Sequence, residues 1–351
     1  MYRGCNGFRS SPGQLRDHFK VLKTLVFHWA GQFGREDLTA LSPDQKRAII
    51  TSLDGQCVQE DWDHLYARLP TGAQLFTGHV LGESMIFKHI FARLIDRPFW
   101  SLDARSDAAD QGGDADFYKR LEYLYERFYI GSPRDAAWWK SHTVALCNLS
   151  RYSCMNLRAN ELGNATHKHN AALVDALTDE LLGREVFQLV LEGVTDPDVE
   201  RARRSSLSHI MQLAAKASLM ALGGMNANLR VDRLPELSTF NPASGAVKPH
   251  VHHFSFTPDA PLTAPVKGGQ VLLLVSPGLC ITDTPARGMG PSVPEQVLRA
   301  EVFTEHRETD STSDQESDSE YEDKDMARSE IEHGILARDG EWQVKSGSVL
   351  L

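Results

Sequence analysis

The sequence predicts a mainly α-helical protein: a multi-helix domain of about eight helices, with a small β-containing C-terminal appendix and a disordered acidic insertion. Three observations carry this expectation. Between Ser11 and Leu222 apolar residues recur every three or four positions, the spacing of helices that each cover one face. Ten prolines between Pro235 and Pro294 exclude long helices there. The run TDSTSDQESDSEYEDKD, from Thr309 to Asp325, has no aliphatic residue and cannot order itself by burial.

Taken in order, residues 1–10 read as a disordered lead-in. Ser11 caps the first helix and Pro12 occupies its first position, with Leu15, Phe19, Leu22, Val26, Trp29 and Phe33 as its apolar stripe. Ser42-Pro43-Asp44-Gln45 is a capping box that opens a second helix through Ile49, Ile50 and Leu53. Val58, Trp62, Leu65 and Leu69 mark a third, closed by Pro70 and Gly72.

The fourth helix, about His79 to Arg97, is the apolar centre of the chain. At 100° per residue Ile86, Phe87, Ile90, Phe91, Leu94 and Ile95 share one half, while Glu83, Lys88, His89, Arg93 and Asp96 take the other. That charged half is expected to be solvated. Pro98 stops the helix and returns Phe99 and Trp100 to the apolar face.

A polar, glycine-containing linker follows, and its aspartates lack the glycine and terminal acid of an EF-hand. Phe117, Leu121, Leu124 and Phe128 form the stripe of the next helix, ended by Gly131. Ser132-Pro133 opens another through Trp138, Trp139, Val144 and Leu146. After an irregular patch to Thr166, helices end at Gly183 and Gly193. Asp196-Pro197 then starts a helix of about 25 residues whose Ala214, Ala215, Ala217 and Ser218 suit a close neighbour.

Residues 225–304 form a proline-rich segment with short strands, of which VLLLV (Val271–Val275) is the clearest. Gln296–Thr304 is ambiguous between helix and strand. Residues 305–333 are the acidic insertion. In 334–351 a terminal β-hairpin is expected to pack on the body, with Asp339-Gly340 as its turn.

The net charge of −10 belongs to one segment. Between Glu301 and His333 thirteen acidic residues face three basic ones, so the remainder carries 34 of each sign. A neutral body gives nucleic acid no basic stripe to follow; Arg201, Arg203 and Arg204 alone do not make one. Five scattered cysteines without a C-x-x-C pair argue against a disulfide framework or zinc finger and fit a reducing compartment. Neither a secretory h-region nor a membrane-spanning run is present, so an intracellular protein of cytoplasm or nucleus is expected.

No nucleophile elbow, P-loop or dinucleotide fingerprint occurs, and no catalytic residue or cofactor site is assigned. His250-Val251-His252-His253 is the one metal-like cluster. In an extended strand His250 and His252 would share a face and His253 would oppose them, as in the H-x-H of cupins. The cupin glutamate is missing after the second histidine, so a polar strand near the surface is the favoured reading. Cys57 precedes Glu60, Asp61 and Asp63, which would raise its pKa and keep it inert. Trp29, Trp62, Trp100, Trp138 and Trp139 fit core positions better than a ligand pocket. Ser311, Ser313, Ser317 and Ser319 each have an acid three residues later, the pattern of acidophilic kinase sites, and Arg203-Arg204-Ser205-Ser206 fits a basophilic site at Ser206. Phosphorylation would let the acidic segment dock on Arg201–Arg204 or recruit a basic partner.

LDGQCVQEDWDHLYARLP, LGESMIFKHIFARLIDRPFW, YERF and AAWWKSHTVALCN together resemble uncharacterised, mainly helical proteins of filamentous fungi, across about residues 20–300. The resemblance implies a helical fold and no activity. The reading that follows is a non-enzymatic helical interaction or scaffold protein with a phosphorylatable acidic segment and an unknown protein partner. Its alternatives are a metal-dependent enzyme using His250 and His252, and a helical module binding an apolar small molecule.

Overall fold

The structure is a computed structural model that describes residues 10–105, 113–114, 116–148, 157–254, 262–282 and 294–309. Among these residues ten α-helices precede eight short strands, so the chain is mainly helical with a β-containing C-terminal region. The helices are α1 (Pro12–Phe33), α2 (Pro43–Ser52), α3 (Trp62–Arg68), α4 (Thr71–Leu75), α5 (Thr77–Ile90), α6 (Phe117–Gly131), α7 (Pro133–Cys147), α8 (Leu157–Leu182), α9 (Glu185–Leu189) and α10 (Pro197–Gly224). None among the described residues is long and apolar enough to cross a membrane.

The local signals work as their chemistry requires. Ser11 Oγ accepts from Gln14 N, and Gln14 Oε1 accepts from Ser11 N at 2.9 Å, which closes a capping box at the start of α1. Ser42 and Gln45 repeat it at α2, and Asp196 caps α10 ahead of Pro197. The six stripe residues of α1 are all buried.

Helix α5 is enclosed on every side, with Lys88 its sole residue outside the buried set. It continues into a π-helical turn, Phe91–Ile95, in which Asp96 N donates to Phe91 O at 2.9 Å. The widened turn leaves Leu94 O free to accept from Ser218 Oγ of α10 at 2.7 Å, and Ser218 Oγ accepts in turn from Trp100 Nε1 at 3.0 Å. At the other end Gly78 lies against the chain leaving α1. A Cβ there would come within 2.2 Å of Arg35 O, a distance only glycine avoids.

The charged half of α5 is therefore not solvated, contrary to the sequence expectation. Glu83 and His89 are buried. Lys88 Nζ donates to Ser52 O and Asp54 O at the end of α2 (2.8 and 2.6 Å), His89 Nε2 donates to Leu177 O of α8 (3.0 Å), and Arg93 pairs with Glu180. Asp96 pairs with Arg233 at 2.5 Å. Each polar residue meets its own partner on a neighbouring element, and periodicity cannot separate a paired interior group from an exposed one.

Helices α6 and α7 form a hairpin. The buried side of α7 (Ala136, Ala137, Lys140, Ser141 and Val144) packs on α10, whose small residues permit the approach. Lys140 is buried, without a carboxylate. Its Nζ donates to Ala227 O just past α10 at 2.8 Å and lies 5.7 Å from the Tyr125 ring centroid. Tyr125 OH donates to Asn228 Oδ1 at 2.7 Å, which fastens α6 to the same corner.

The strands are β1 (Asn228–Asp232), β2 (Val247–Pro249), β3 (Leu262–Pro265), β4 (Val271–Ser276), β5 (Gly278–Thr282), β6 (Glu295–Leu298), β7 (Ala300–Thr304) and β8 (His306–Thr309). They form sheets ordered β1-β5-β6, β2-β7-β4 and β3-β8, antiparallel except for β2 with β7. The VLLLV run is β4, buried throughout and laid on α5, where Ser84 Oγ donates to Leu274 O at 3.0 Å. One hydrophobic core contains residues of α1, α5 and α10 together with Leu272, Leu273, Ile281 and Phe303, so the β region shares the core of the helical domain.

Several boundaries differ from the sequence expectation. A short α4 follows Pro70, and α8 begins at Leu157, within the patch expected to be irregular. Gln296–Thr304 falls in β6 and β7, which pair with β5 and β4, and four of the five residues of β7 are buried. The acidic insertion was expected from residue 305, but 306–309 pair with β3 as β8, since backbone pairing does not depend on side-chain polarity. The lead-in before Ser10, most of the acidic insertion and the terminal hairpin of 334–351 lie outside the described residues.

Candidate functional site

The densest group of ionisable residues lies where α1 and α5 meet the β2-β7-β4 sheet. Lys23 comes from α1, Glu83 from α5, Lys248 from β2, Glu301 from β7, and His250 from the turn after β2. Glu301 Oε1 is 3.1 Å from both Lys23 Nζ and Lys248 Nζ. His250 Nε2 is 3.6 Å from Glu83 Oε2, and both side chains are almost wholly buried.

Burial pushes the Glu301 carboxyl up, but Lys23, Lys248 and His250 outweigh it and hold it well below the usual carboxylate range. Glu83 has the opposite balance: burial dominates and raises its pKa, with His250 opposing. Glu83 Oε1 has no hydrogen-bond partner. Two neighbouring carboxyls are thus held in different protonation tendencies by their partners. Lys23 and Lys248 bracket Glu301, and His250 meets Glu83, across an interface between helices and sheet, the geometry of a clamp. The concavities at Asp179–Arg204 and at Arg68–Glu305 are not lined by Glu83, His250 or Glu301.

The histidine run does not form the expected extended strand. Pro249 closes β2, His250 becomes the N-cap of a 3₁₀ turn, Val251–His253, and its Nδ1 accepts from His252 N at 3.3 Å. All three histidines are buried, so the reading of a polar strand near the surface is corrected as well. His252 is stacked on Phe76 (centroids 4.4 Å apart) and Phe27 (5.4 Å), and burial drives its pKa well down. His253 Nε2 donates to Thr304 Oγ1 at 3.1 Å, because that hydroxyl donates onward to Glu305 O; burial lowers this imidazole to about 4. Phe76 and Phe27 flank His252, and the His250 ring lies 5.5 Å away. Among the described residues no three His, Cys, Asp or Glu side chains converge as a metal site.

The remaining sequence candidates are dispersed. Arg204 forms a bidentate pair with Asp179 (2.7 and 2.9 Å), Arg201 pairs with Asp198 at 2.8 Å, and the buried Arg203 donates to Glu192 O. In the patch expected to receive an acidic segment, Arg201 and Arg204 are already paired with neighbouring carboxylates. Ser206 lies within α10 with its Oγ turned onto Ala202 O at 2.8 Å. Ser311, Ser313, Ser317 and Ser319 are outside the described residues. Cys57 is buried, and burial first, then Glu60, raises its thiol to about 12. Trp29 and Trp100 are core residues, with indole N–H groups donating to Arg203 O and Ser218 Oγ. The concavities at Asp179–Arg204 and at Arg68–Glu305 have no tryptophan in their walls.

What sequence reasoning missed is the surface of the α6–α7 hairpin. Of the ten large hydrophobic residues exposed among the described residues, seven belong to it: Tyr123, Leu124, Phe128, Tyr129, Ile130, Trp138 and Leu146. Leu124 and Phe128, expected in a core stripe, are among them, and α6 has no buried residue. Two signals in the sequence point there. Nine of the fifteen residues of α6 are aromatic or aliphatic, more than one helix face can cover. Trp138, His142 and Leu146 recur at intervals of four, opposite the Ala137–Lys140–Val144 side that packs on α10. Phe128 and Trp139 meet edge to face at 5.1 Å, and Trp138 and His142 lie 4.1 Å apart, so the hairpin is braced by its own rings.

Compared with protein-family models, with curated proteins and with solved structures, the chain matches none.

Proposed function

We propose that this chain is a helical interaction protein that binds another polypeptide through the α6–α7 hairpin. The carrying observation is the concentration of exposed aromatic and aliphatic side chains on that one hairpin. Exposed apolar surface gathered in one place marks association faces, whereas singly scattered residues do not. Interface cores favour aromatic residues. The ionisable cluster fits the same reading, since Lys23, Lys248 and Glu301 pair with one another between helices and sheet.

On this reading the acidic segment is regulatory. Phosphates on Ser311, Ser313, Ser317 and Ser319 would each add about 1.5 to 2 negative charges and strengthen attraction to a basic partner. The thiols of Cys57, Cys147 and Cys280 are free, which supports a reducing compartment inside the cell. The test compares proteins captured from the source cells by three forms: wild type, Ile130→Asp/Trp138→Asp, and a deletion of 309–325. Partners lost with the hairpin variant support the reading, and an unchanged set refutes it. Phosphopeptide mapping of the endogenous protein tests the regulatory part; unmodified serines refute it.

A further inference from the structure

We infer that β2 and the histidine turn after it form a strap that acid releases: on protonation of His252 and His253, residues 247–254 leave the helical body while the rest of the fold stays closed.

The strap is built to come away as a unit. Strand β2 has three residues and lies at the edge of its sheet, paired with β7 alone, and β7 keeps β4 on its other side. Removing β2 therefore leaves the β7–β4 ladder intact. Val247 packs in a small cluster with Phe240, Val271, Leu274, Ala300 and Val302, apart from the main core. The turn itself is seated on α4 by backbone contact. A Cβ on Gly72 would come within 2.2 Å of His252 O and 3.1 Å of Phe254 O, so only a glycine allows the turn to rest there.

The rings that hold the strap down are poorly placed for a second proton. His252 occupies a slot between Phe27 of α1 and Phe76 ahead of α5, both half-buried, and its Nδ1 is buried with no acceptor. Phenyl faces attract a cation but accept nothing from an N–H in the plane of the ring. His253 is wholly buried, and its Nε2 proton is given to Thr304 Oγ1. Around these two rings stand Lys23 of α1, His79 and Glu83 of α5, Lys248 of β2, His250 of the turn, Glu301 of β7, and Glu305 and His306 after it. Helix α4 and strand β3 contribute no charged residue. The carboxylates among these groups are engaged: Glu301 by Lys23 and Lys248, Glu83 by His250, Glu305 by Arg68. Burial also makes Glu83 take a proton early as pH falls, which removes a counter-charge from beside the turn. Acid thus adds positive charge to the strap and none of the opposite sign to meet it. In water both imidazoles return to their ordinary affinity for a proton, so protonation favours the open strap.

The experiment is amide exchange of the full-length chain, read by mass spectrometry at pH 7 and pH 5 in residues 247–254 and, for comparison, 207–222 of α10, after correction for the intrinsic rate. With 6.5 in the open strap and about 4 in the closed one, His253 alone makes opening about twentyfold easier at pH 5, and His252 adds its own factor. Exchange at 247–254 should therefore rise at least about twentyfold, and should not respond to low urea, as local openings expose little surface. No acceleration overturns the inference, and so does exchange in 247–254 that matches 207–222 in rate and urea dependence, since the strap would then leave only with the whole fold. His252→Phe/His253→Gln keeps the slot filled and the donor to Thr304 without a titrating ring, and should abolish the acceleration; a variant that accelerates like wild type overturns the assignment to these histidines. Gly72→Ala tests separation at constant pH. Its methyl should open 247–254 to exchange at pH 7 and leave 207–222 protected; loss of protection in both segments, or in neither, overturns the strap.

Discussion

Lys140 provides the sharpest test of how the hairpin is held. Burial alone lowers its pKa from 10.5 to about 8, and no carboxylate opposes the shift. In the unfolded chain the amine returns to its ordinary value, so between pH 8 and 10.5 the unfolded state binds more protons than the folded state. Stability must therefore rise with pH across that window. Evaluated between pH 7.5 and 9.5, the two values give an increase of roughly 2 kcal/mol from this one group. Lys140→Met removes the titrating amine and keeps a flexible side chain of similar length. Urea unfolding of both proteins at the two pH values isolates the effect, because all other titrations cancel in the difference. The gap between wild type and variant should change by about 2 kcal/mol in favour of wild type at the higher pH. A gap independent of pH would mean that the amine is solvated or paired, and that the α7–α10 contact is not as tight as its burial indicates.

Three further outcomes follow from the packing. Gly78→Ala places a methyl 2.2 Å from Arg35 O and should destabilise by about 1–3 kcal/mol in chemical denaturation; a neutral result would show that α5 can shift away from α1. Ser218→Ala strands the Trp100 indole N–H and should cost about 1–3 kcal/mol, with a red or blue shift of tryptophan emission as the second readout; no change in either refutes the Trp100–Ser218–Leu94 relay. His89 and His253 titrate at about 4 in the fold, against 6.5 when unfolded, so they cost the fold nothing above 6.5 and destabilise it increasingly as pH falls toward 4. Each should subtract roughly 2 kcal/mol between pH 7 and 5, and His89→Leu should remove its share; equal losses in wild type and variant would show that His89 is charged in the fold.

The parts legible in the sequence are those written in short-range chemistry. Ser11-Pro12, Ser42-Pro43 and Asp196-Pro197 announce helix starts through groups within three residues of each other, and VLLLV announces a buried strand by length and flanks. The six apolar residues shared by α5 and its π-helical turn are equally plain. What periodicity could not supply is the identity of partners far along the chain. Glu83 is buried because His250 lies 167 positions later in sequence and comes to rest beside it, and Lys88 and Arg93 are matched by α2 and α8 in the same manner. The histidine run misled for a local reason: β2 ends at Pro249, three residues short of carrying His250 and His252 as an extended H-x-H. At the hairpin the error was to assume that every apolar stripe is covered. Leu124 and Phe128 obey helical spacing, but the sequence does not say whether the covering element belongs to the same molecule.

That question is answered most directly by the unfolding free energy of Ile130→Asp/Trp138→Asp, measured at a concentration low enough to keep the wild type monomeric. If these side chains serve association, two charges introduced at exposed positions should leave stability within about 0.5 kcal/mol of wild type, as surface substitutions do. A loss above about 2 kcal/mol would show that Ile130 and Trp138 pack within the folded monomer, and the hairpin would then be part of the core and no binding face at all.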